Sequence, residues 1–249
     1  MKAALNKRYT VIDIWRGLAV LAMILYHTLW DLVYVYGVEV GNWGDRPVGR
    51  VIFQACIRWS FLLLSGFCFQ MGRHQLKRGL TILGGGVIIT LVTMVVMGDY
   101  AIHFGVLTFI GCAMVVMIPL HKLFKHVPGW LGFALSLVLF LMTEHLSVGY
   151  LGMNWCKYYL PFDLYANYFT AWVGLPSVSF YSSDYVPMIP WLFVYFMGYF
   201  AYSSFKKWNW LKILSCVRCK PLEWVGRNAL IIYMLHQPIV YGALYLIFK

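Results

Sequence analysis

Apolar residues run in blocks of about twenty along this chain, with polar residues gathered in the short gaps between them. Blocks long enough to cross a hydrocarbon core as helices fall near 11–36, 51–71, 79–98, 103–120, 130–146, 186–203 and 224–247. Seven such segments predict an all-α, polytopic transmembrane helix bundle. No run of alternating strands, internal repeat or low-complexity tract interrupts it, so residues 1–249 read as a single membrane domain.

The first block breaks the pattern in an orderly way. In DIWRGLAVLAMILYHTLWDLVYV, Asp13, Arg16, His27 and Asp31 are the ionisable residues. Arg16 and His27 are separated by eleven helical steps, which bring them within about 20° of one face and about 16 Å apart along the axis. Asp13 and Asp31 fall on that same stripe. Ionisable groups in lipid are costly unless they face a bundle interior or wet cavity, so an internal polar site is the expectation.

Composition supports the membrane reading: 61% of residues are hydrophobic and 12% charged, against about 25% charged in ordinary globular domains. The net charge of +11 follows from topology. Lys2, Lys7, Arg8, Arg73, Lys77, Arg78, Lys122, Lys125, Lys206, Lys207, Lys212, Arg218 and Lys220, 13 of the 20 basic residues, sit on one side of a seven-span arrangement. Arg46, Arg50, Lys157 and Lys249 sit on the other. The positive-inside rule then makes the N-terminus cytoplasmic, and the helix behind it is too long and too polar for a cleavable signal peptide, so it is expected to stay uncleaved. The charge gives no reason to invoke nucleic acid. Cys216 and Cys219 form a lone CxxC without the further ligands that zinc needs, so neither a metal nor a structural disulfide is expected.

Further polar residues fall at two depths. The outward half holds His27, Asp31, Arg58, His103 and Asp184. The inward half holds Asp13, Arg16, Arg227 and Asn228. His236 and Gln237 lie between, beside Pro238. Structural roles stand beside the chemical ones: Asp13 can pair with Arg16 or Arg227, and Asp184 can cap the sixth span. Gly84-Gly85-Gly86 suits close helix contact. The external segment 147–185, rich in Tyr, Trp, Phe and Ser, suits the headgroup boundary or stacking on sugar rings.

A His–Asp pair at i,i+4 can hold an imidazole in one tautomer, as the base and orienter of an acyl-transfer site. The same pair can serve a proton relay, and the pattern alone does not separate an acyltransferase from a proton-coupled transporter. A non-catalytic membrane subunit that uses these polar groups to hold a partner helix is a third class.

Family resemblance bears on that choice. DIWRGLAVLAMILYH resembles the first-span signature of integral-membrane acyltransferases. RYTVIDIWRGLAVLAMILYHTLWDL, IRWSFLLLSGF, FGVLTFIGCAMV, DYVPMIPWLFVYFMG and LEWVGRNALIIYMLHQPIV together resemble, in order, the catalytic domain of heparan-α-glucosaminide N-acetyltransferase, in particular its small bacterial relatives. The resemblance implies transfer of an acetyl group from cytoplasmic acetyl-CoA to a sugar or glycan across a bacterial inner membrane. The wider membrane-acyltransferase pattern and the local i,i+4 geometry point to His27 as general base with Asp31 as its orienter, and His236, in the family's HQP motif, is the rival base. Asp13, Arg16, Arg227 and Asn228 would serve the acyl-CoA side, and Arg58, His103 and Asp184 the substrate. One departure stands out: as aligned, the human-type enzyme has Asn at the position of His27, with its catalytic His later and toward the lumen. Acceptor identity, acyl length and homo-oligomerisation stay open.

Overall fold

The structure is a computed structural model and describes residues 9–41, 43, 47–153 and 155–248. Lys2, Lys7, Arg8, Arg46 and Lys249 of the charge map lie outside the described residues. In chain order the elements are α1 (Thr10–Tyr34), α2 (Pro47–Phe69), α3 (Gln75–Met97), α4 (Val106–Phe124), α5 (Gly129–Thr143), β1 (Tyr150–Met153), β2 (Cys156–Tyr159), α6 (Tyr168–Val173), α7 (Met188–Lys207), α8 (Lys220–Arg227) and α9 (Ala229–Phe248). The strands form one antiparallel hairpin with Tyr150 opposite Tyr159. All else that is regular is helical, as a polytopic helix bundle requires.

Among the described residues, six helical stretches are long and apolar enough to cross a membrane: α1 to α4, α9, and α5 continued through Val148. The seventh expected segment, 186–203, is α7. Tyr195, Tyr199 and Tyr202 dilute its hydropathy, two lysines close it, and Ile189 near its start leaves helical geometry at φ −105°, ψ 129°. The expected block 224–247 is broken in two. Asn228 leaves the helical basin at φ −98°, ψ 16°, and its side-chain amide donates to the Trp224 carbonyl at 2.9 Å. That local bond competes with helix continuation and ends α8.

The apolar faces point outward. Val95 of α3 is 87% exposed and Leu246 of α9 is 82% exposed, and Leu80, Val87, Ile88, Leu91 and Val92 continue the α3 surface. Helices of this length satisfy their own backbone groups, and such wide apolar faces need lipid to cover them. The chain is an integral membrane protein.

The helices group into two compact units, Met1–Phe61 with Trp208–Lys249, and Leu62–Lys207. In the first, α1 packs on α8 and α9. The α1–α8 crossing is backbone against backbone. A Cβ on Gly17 would lie 2.3 Å from the Leu222 carbonyl oxygen, and one on Gly226 would lie 1.9 Å from that of Asp13. Only glycine permits that approach. Arg50 of α2 stacks over the rings of Trp30 and Tyr34 at 5.5 and 5.3 Å, holding the end of α1.

In the second unit α3 packs on α4, and α5 on α7. Gly86 is a glycine of the expected triple that makes a close contact there, with a Cβ position 2.6 Å from the Thr108 amide nitrogen. Gly84 has nothing within 4 Å. Tyr195 and Tyr199, fully buried, fill the interior of this unit. His121 Nδ1 lies 2.7 Å from the Tyr199 hydroxyl.

Candidate functional site

The polar stripe of α1 lies within the first unit, and α9 supplies its counterpart. His27 and His236 meet ring to ring, with centroids 4.9 Å apart and planes at 64°. Each ring is anchored on its own helix. His27 Nδ1 lies 2.9 Å from the Met23 carbonyl oxygen, and His236 Nδ1 lies 2.6 Å from that of Tyr233. A carbonyl can only accept, so Nδ1 carries the proton in both rings. The basic lone pair of each neutral imidazole is therefore on Nε2, which is the arrangement a general base needs.

Asp31 is not the hydrogen-bonded orienter of His27 expected from the i,i+4 spacing. Its two carboxylate oxygens accept from Gln237 Nε2 at 3.2 and 2.9 Å, and it is only 3% exposed. The physical reason is competition. An i−4 carbonyl within the helix reaches His27 at no conformational expense, while the buried carboxylate needs a donor that only α9 brings. Asp31 thus ties α1 to α9 directly beside the histidine pair. The Oε1 of Gln237 is buried without a hydrogen-bond partner. Gln237 is a site residue that sequence reasoning noted only as a neighbour of His236.

A second polar layer forms where α1 crosses α8. Arg16 pairs with Asp13 at 3.5 Å and donates to the Gly226 carbonyl at 3.4 Å. Arg227 donates to the Glu223 carbonyl at 3.0 Å, and its Nη2 lies 3.9 Å from Glu223 Oε2. Glu223, buried, also accepts from the Cys219 amide at 3.2 Å, closing the first turn of α8. Sequence reasoning missed it, although the i,i+4 spacing to Arg227 was a readable signal. Thr10 donates to the Val217 carbonyl at 2.5 Å, fastening the start of α1 to the same region. Both ion pairs are long, and both arginines keep partial exposure. Asn228 spends its side chain on the end of α8.

The remaining expected site residues lie elsewhere. Arg58 is half-buried in the first-unit part of α2. His103 and Asp184 belong to the second unit and serve the entry to α4. The Tyr168 hydroxyl lies 2.9 Å from His103 Nδ1, and burial raises the pKa of that phenol, so it remains an O–H group at neutral pH. The His103 backbone exchanges two hydrogen bonds with Ser182 Oγ, at 2.9 and 2.8 Å. Asp184 Oδ2 accepts from the Val106 amide at 3.3 Å. It therefore caps α4, not the sixth span that follows it in sequence, because the free amides of α4 are the donors folded against it.

The family profile described as heparan-alpha-glucosaminide N-acetyltransferase, catalytic, matches residues 8–238. No curated protein and no solved structure matches the chain. The matched region takes in α1 with Asp13, Arg16, His27 and Asp31, and extends to His236, Gln237 and Pro238 in α9. The chain belongs to the family of heparan-alpha-glucosaminide N-acetyltransferase catalytic domains, integral membrane proteins of acetyltransferase type.

Proposed function

We propose that this protein takes an acetyl group from cytoplasmic acetyl-CoA and transfers it to a sugar or glycan outside the cytoplasm, in a bacterial inner membrane. The observation that carries the reading is the His27–His236 pair, with both Nδ1 atoms committed to helix carbonyls, which puts the basic lone pair of each ring on Nε2. An imidazole held this way takes the proton from an acceptor hydroxyl or amine as that atom attacks the thioester carbonyl. The new C–O or C–N bond forms, the C–S bond breaks, and the imidazolium returns its proton to the departing CoA sulfur. His27 is the base in this scheme. His236 is the neighbour that fixes its ring and can share the proton. Asp31 holds the two helices together through Gln237 and places a carboxylate one helical turn from His27.

Arg16 and Arg227 fit the phosphates of CoA as partly exposed cations at the α1–α8 crossing. Lys212 and Arg218 precede α8 and Lys220 begins it, and all three add positive charge on the same expected cytoplasmic side.

The test is to supply acetyl-CoA labelled in the acetyl group to one face of sealed vesicles carrying the protein, with sugar acceptors on the other. Label recovered on the acceptor supports the reading. Solute movement driven by a pH gradient, with no acetyl-CoA bound, supports a proton-coupled transporter in its place.

A further inference from the structure

The charges of the second unit are sorted by end. Arg73, Lys77 and Arg78 stand before and within the first turn of α3, Lys122 and Lys125 at the end of α4, and Lys206 and Lys207 at the end of α7. The carboxylates of the unit are elsewhere: Asp99 follows α3, Glu144 follows α5, and Asp163 and Asp184 lie in the segment 147–185. All of these cations are exposed, and among the described residues none of them pairs with a carboxylate. Topology accounts for the sign of charge at that end. It does not account for how the groups there are built.

Five of the cations are brought together by one helix pair. A Cβ on Gly111 of α4 would lie 2.7 Å from the Leu83 Cα, and one on Gly79 would lie 3.2 Å from the Met114 Cβ. That register is antiparallel and close, so the first turn of α3 lies beside the last turns of α4. Lys77 and Arg78 are then separated laterally from Lys122 and Lys125 by about 8–10 Å, the distance between packed helices. Arg78 is held in place. Gln75 Nε2 donates to the Phe69 carbonyl and, at 3.0 Å, to the Gly72 carbonyl, while its Oε1 accepts from Arg78 Nη1 at 3.4 Å. The guanidinium fills the space a side chain at 72 would need, with Nη1 1.7 Å from that Cβ position. A guanidinium oriented by a neutral amide is preorganised for a phosphate.

Beyond the cations the surface is apolar. Leu80, Ile88, Leu91 and Val95 fall within about 60° of Lys77 around α3, and all four are exposed. Leu123 is exposed between Lys122 and Lys125. Cations at one end of an apolar face that runs the length of a span match a phospholipid, which presents phosphate to the first and acyl chains to the second. An acidic protein segment would match the charge alone. Cations on both helices favour two phosphates, because a pair joined by a three-carbon bridge reaches both groups. We infer that the end of the α3–α4 pair carrying Arg73, Lys77, Arg78, Lys122 and Lys125 binds an anionic phospholipid with two phosphates, a diphosphatidylglycerol, with its acyl chains along α3. The inference does not rest on acetyl transfer.

The experiment is native mass spectrometry of the delipidated full-length protein. It is titrated with diphosphatidylglycerol, with phosphatidylglycerol at twice the concentration to match charge, and with the deacylated diphosphate headgroup. Diphosphatidylglycerol is expected to bind at least about tenfold tighter than phosphatidylglycerol. Lys77→Gln with Arg78→Gln, or Lys122→Gln with Lys125→Gln, should each weaken its binding about tenfold. Lys122→Arg with Lys125→Arg should retain it, which separates lost charge from misfolding. Lys157→Gln, in the β hairpin, should leave it unchanged. Equal affinity for the two lipids at matched charge reduces the cluster to unspecific surface charge and overturns the inference. So does an affinity unmoved by both glutamine double variants, or a headgroup that binds as tightly as the intact lipid. Displacement of the lipid by an equal concentration of acetyl-CoA assigns the cations to the acyl donor and overturns it as well.

Discussion

Alanine at Gly226 puts a methyl group 1.9 Å from the Asp13 carbonyl oxygen, where ordinary contact begins near 3.4 Å. The obstructing atoms are backbone, with no flexible side chain to swing aside. Helices α1 and α8 must therefore part by about 1.5 Å. The Arg16 to Gly226 hydrogen bond, already 3.4 Å long, is then lost, and the Arg16–Asp13 pair loses its packing partner. Overfilling a close contact costs about 1–3 kcal/mol. In a chain of this length that lowers the thermal midpoint by roughly 2–12 °C. Gly84→Ala is the matched control, since nothing lies within 4 Å of its Cβ position. There the better helix propensity of alanine stabilises by about 0.5–1 kcal/mol. The assay is thermal unfolding in detergent followed by tryptophan fluorescence, with acetyl-CoA binding measured on the same preparations. Gly226→Ala is expected to melt lower and bind more weakly, and Gly84→Ala to melt at or above wild type. A Gly226→Ala protein that melts with wild type and binds normally refutes the backbone crossing and the inner polar layer built on it.

Gln237→Leu leaves the buried Asp31 carboxylate without its donor and should destabilise by about 1–3 kcal/mol; the Asp31→Leu, Gln237→Leu double variant should recover most of the thermal midpoint, and equal losses in both proteins would contradict the α1–α9 tie. Asp184→Ala removes the acceptor for the Val106 amide and should lose about 0.3–1 kcal/mol, as at other helix N-termini, while Asp184→Asn keeps most of it; a midpoint unchanged in Asp184→Ala argues against the cap. Burial raises the pKa of Tyr165, Tyr168 and Tyr185. The unfolded chain loses these protons near pH 10 while the folded chain keeps them. Stability is thus complete below about pH 10 and falls as pH rises past it. Midpoints measured from pH 8.5 to 11 should decline, less steeply in Tyr185→Phe, and a flat profile would exclude the effect.

The sequence makes the helices legible because lipid imposes a simple rule on them, a length of apolar residues with self-satisfied backbone. It also places Asp13, Arg16, His27 and Asp31 on one stripe of α1, and the structure keeps all four within one unit. What periodicity does not carry is the choice among partners. Asp31 is spaced for His27 but bonds Gln237, more than two hundred residues away. Asp184 is spaced to start α7 but caps α4. In each case a nonlocal donor wins over the sequence neighbour. The break at Asn228 is equally hidden, because asparagine inside an apolar block signals a stop only once its side chain reaches the Trp224 carbonyl. The hairpin of β1 and β2 escapes notice for another reason: strands of four residues are too short to show alternation.

The central claim is that His27 is the base for transfer from acetyl-CoA, and release of free CoA by purified protein in nanodiscs tests it most directly. Wild type, His27→Ala and His236→Ala would be compared with a pool of cell-envelope glycans as acceptor, alongside acetyl-CoA affinity. The account predicts wild-type turnover, a fall of about 10²–10⁴-fold in His27→Ala, and unchanged acetyl-CoA binding in that variant. Wild-type turnover in His27→Ala, or folded wild-type protein that binds no acetyl-CoA, would contradict it.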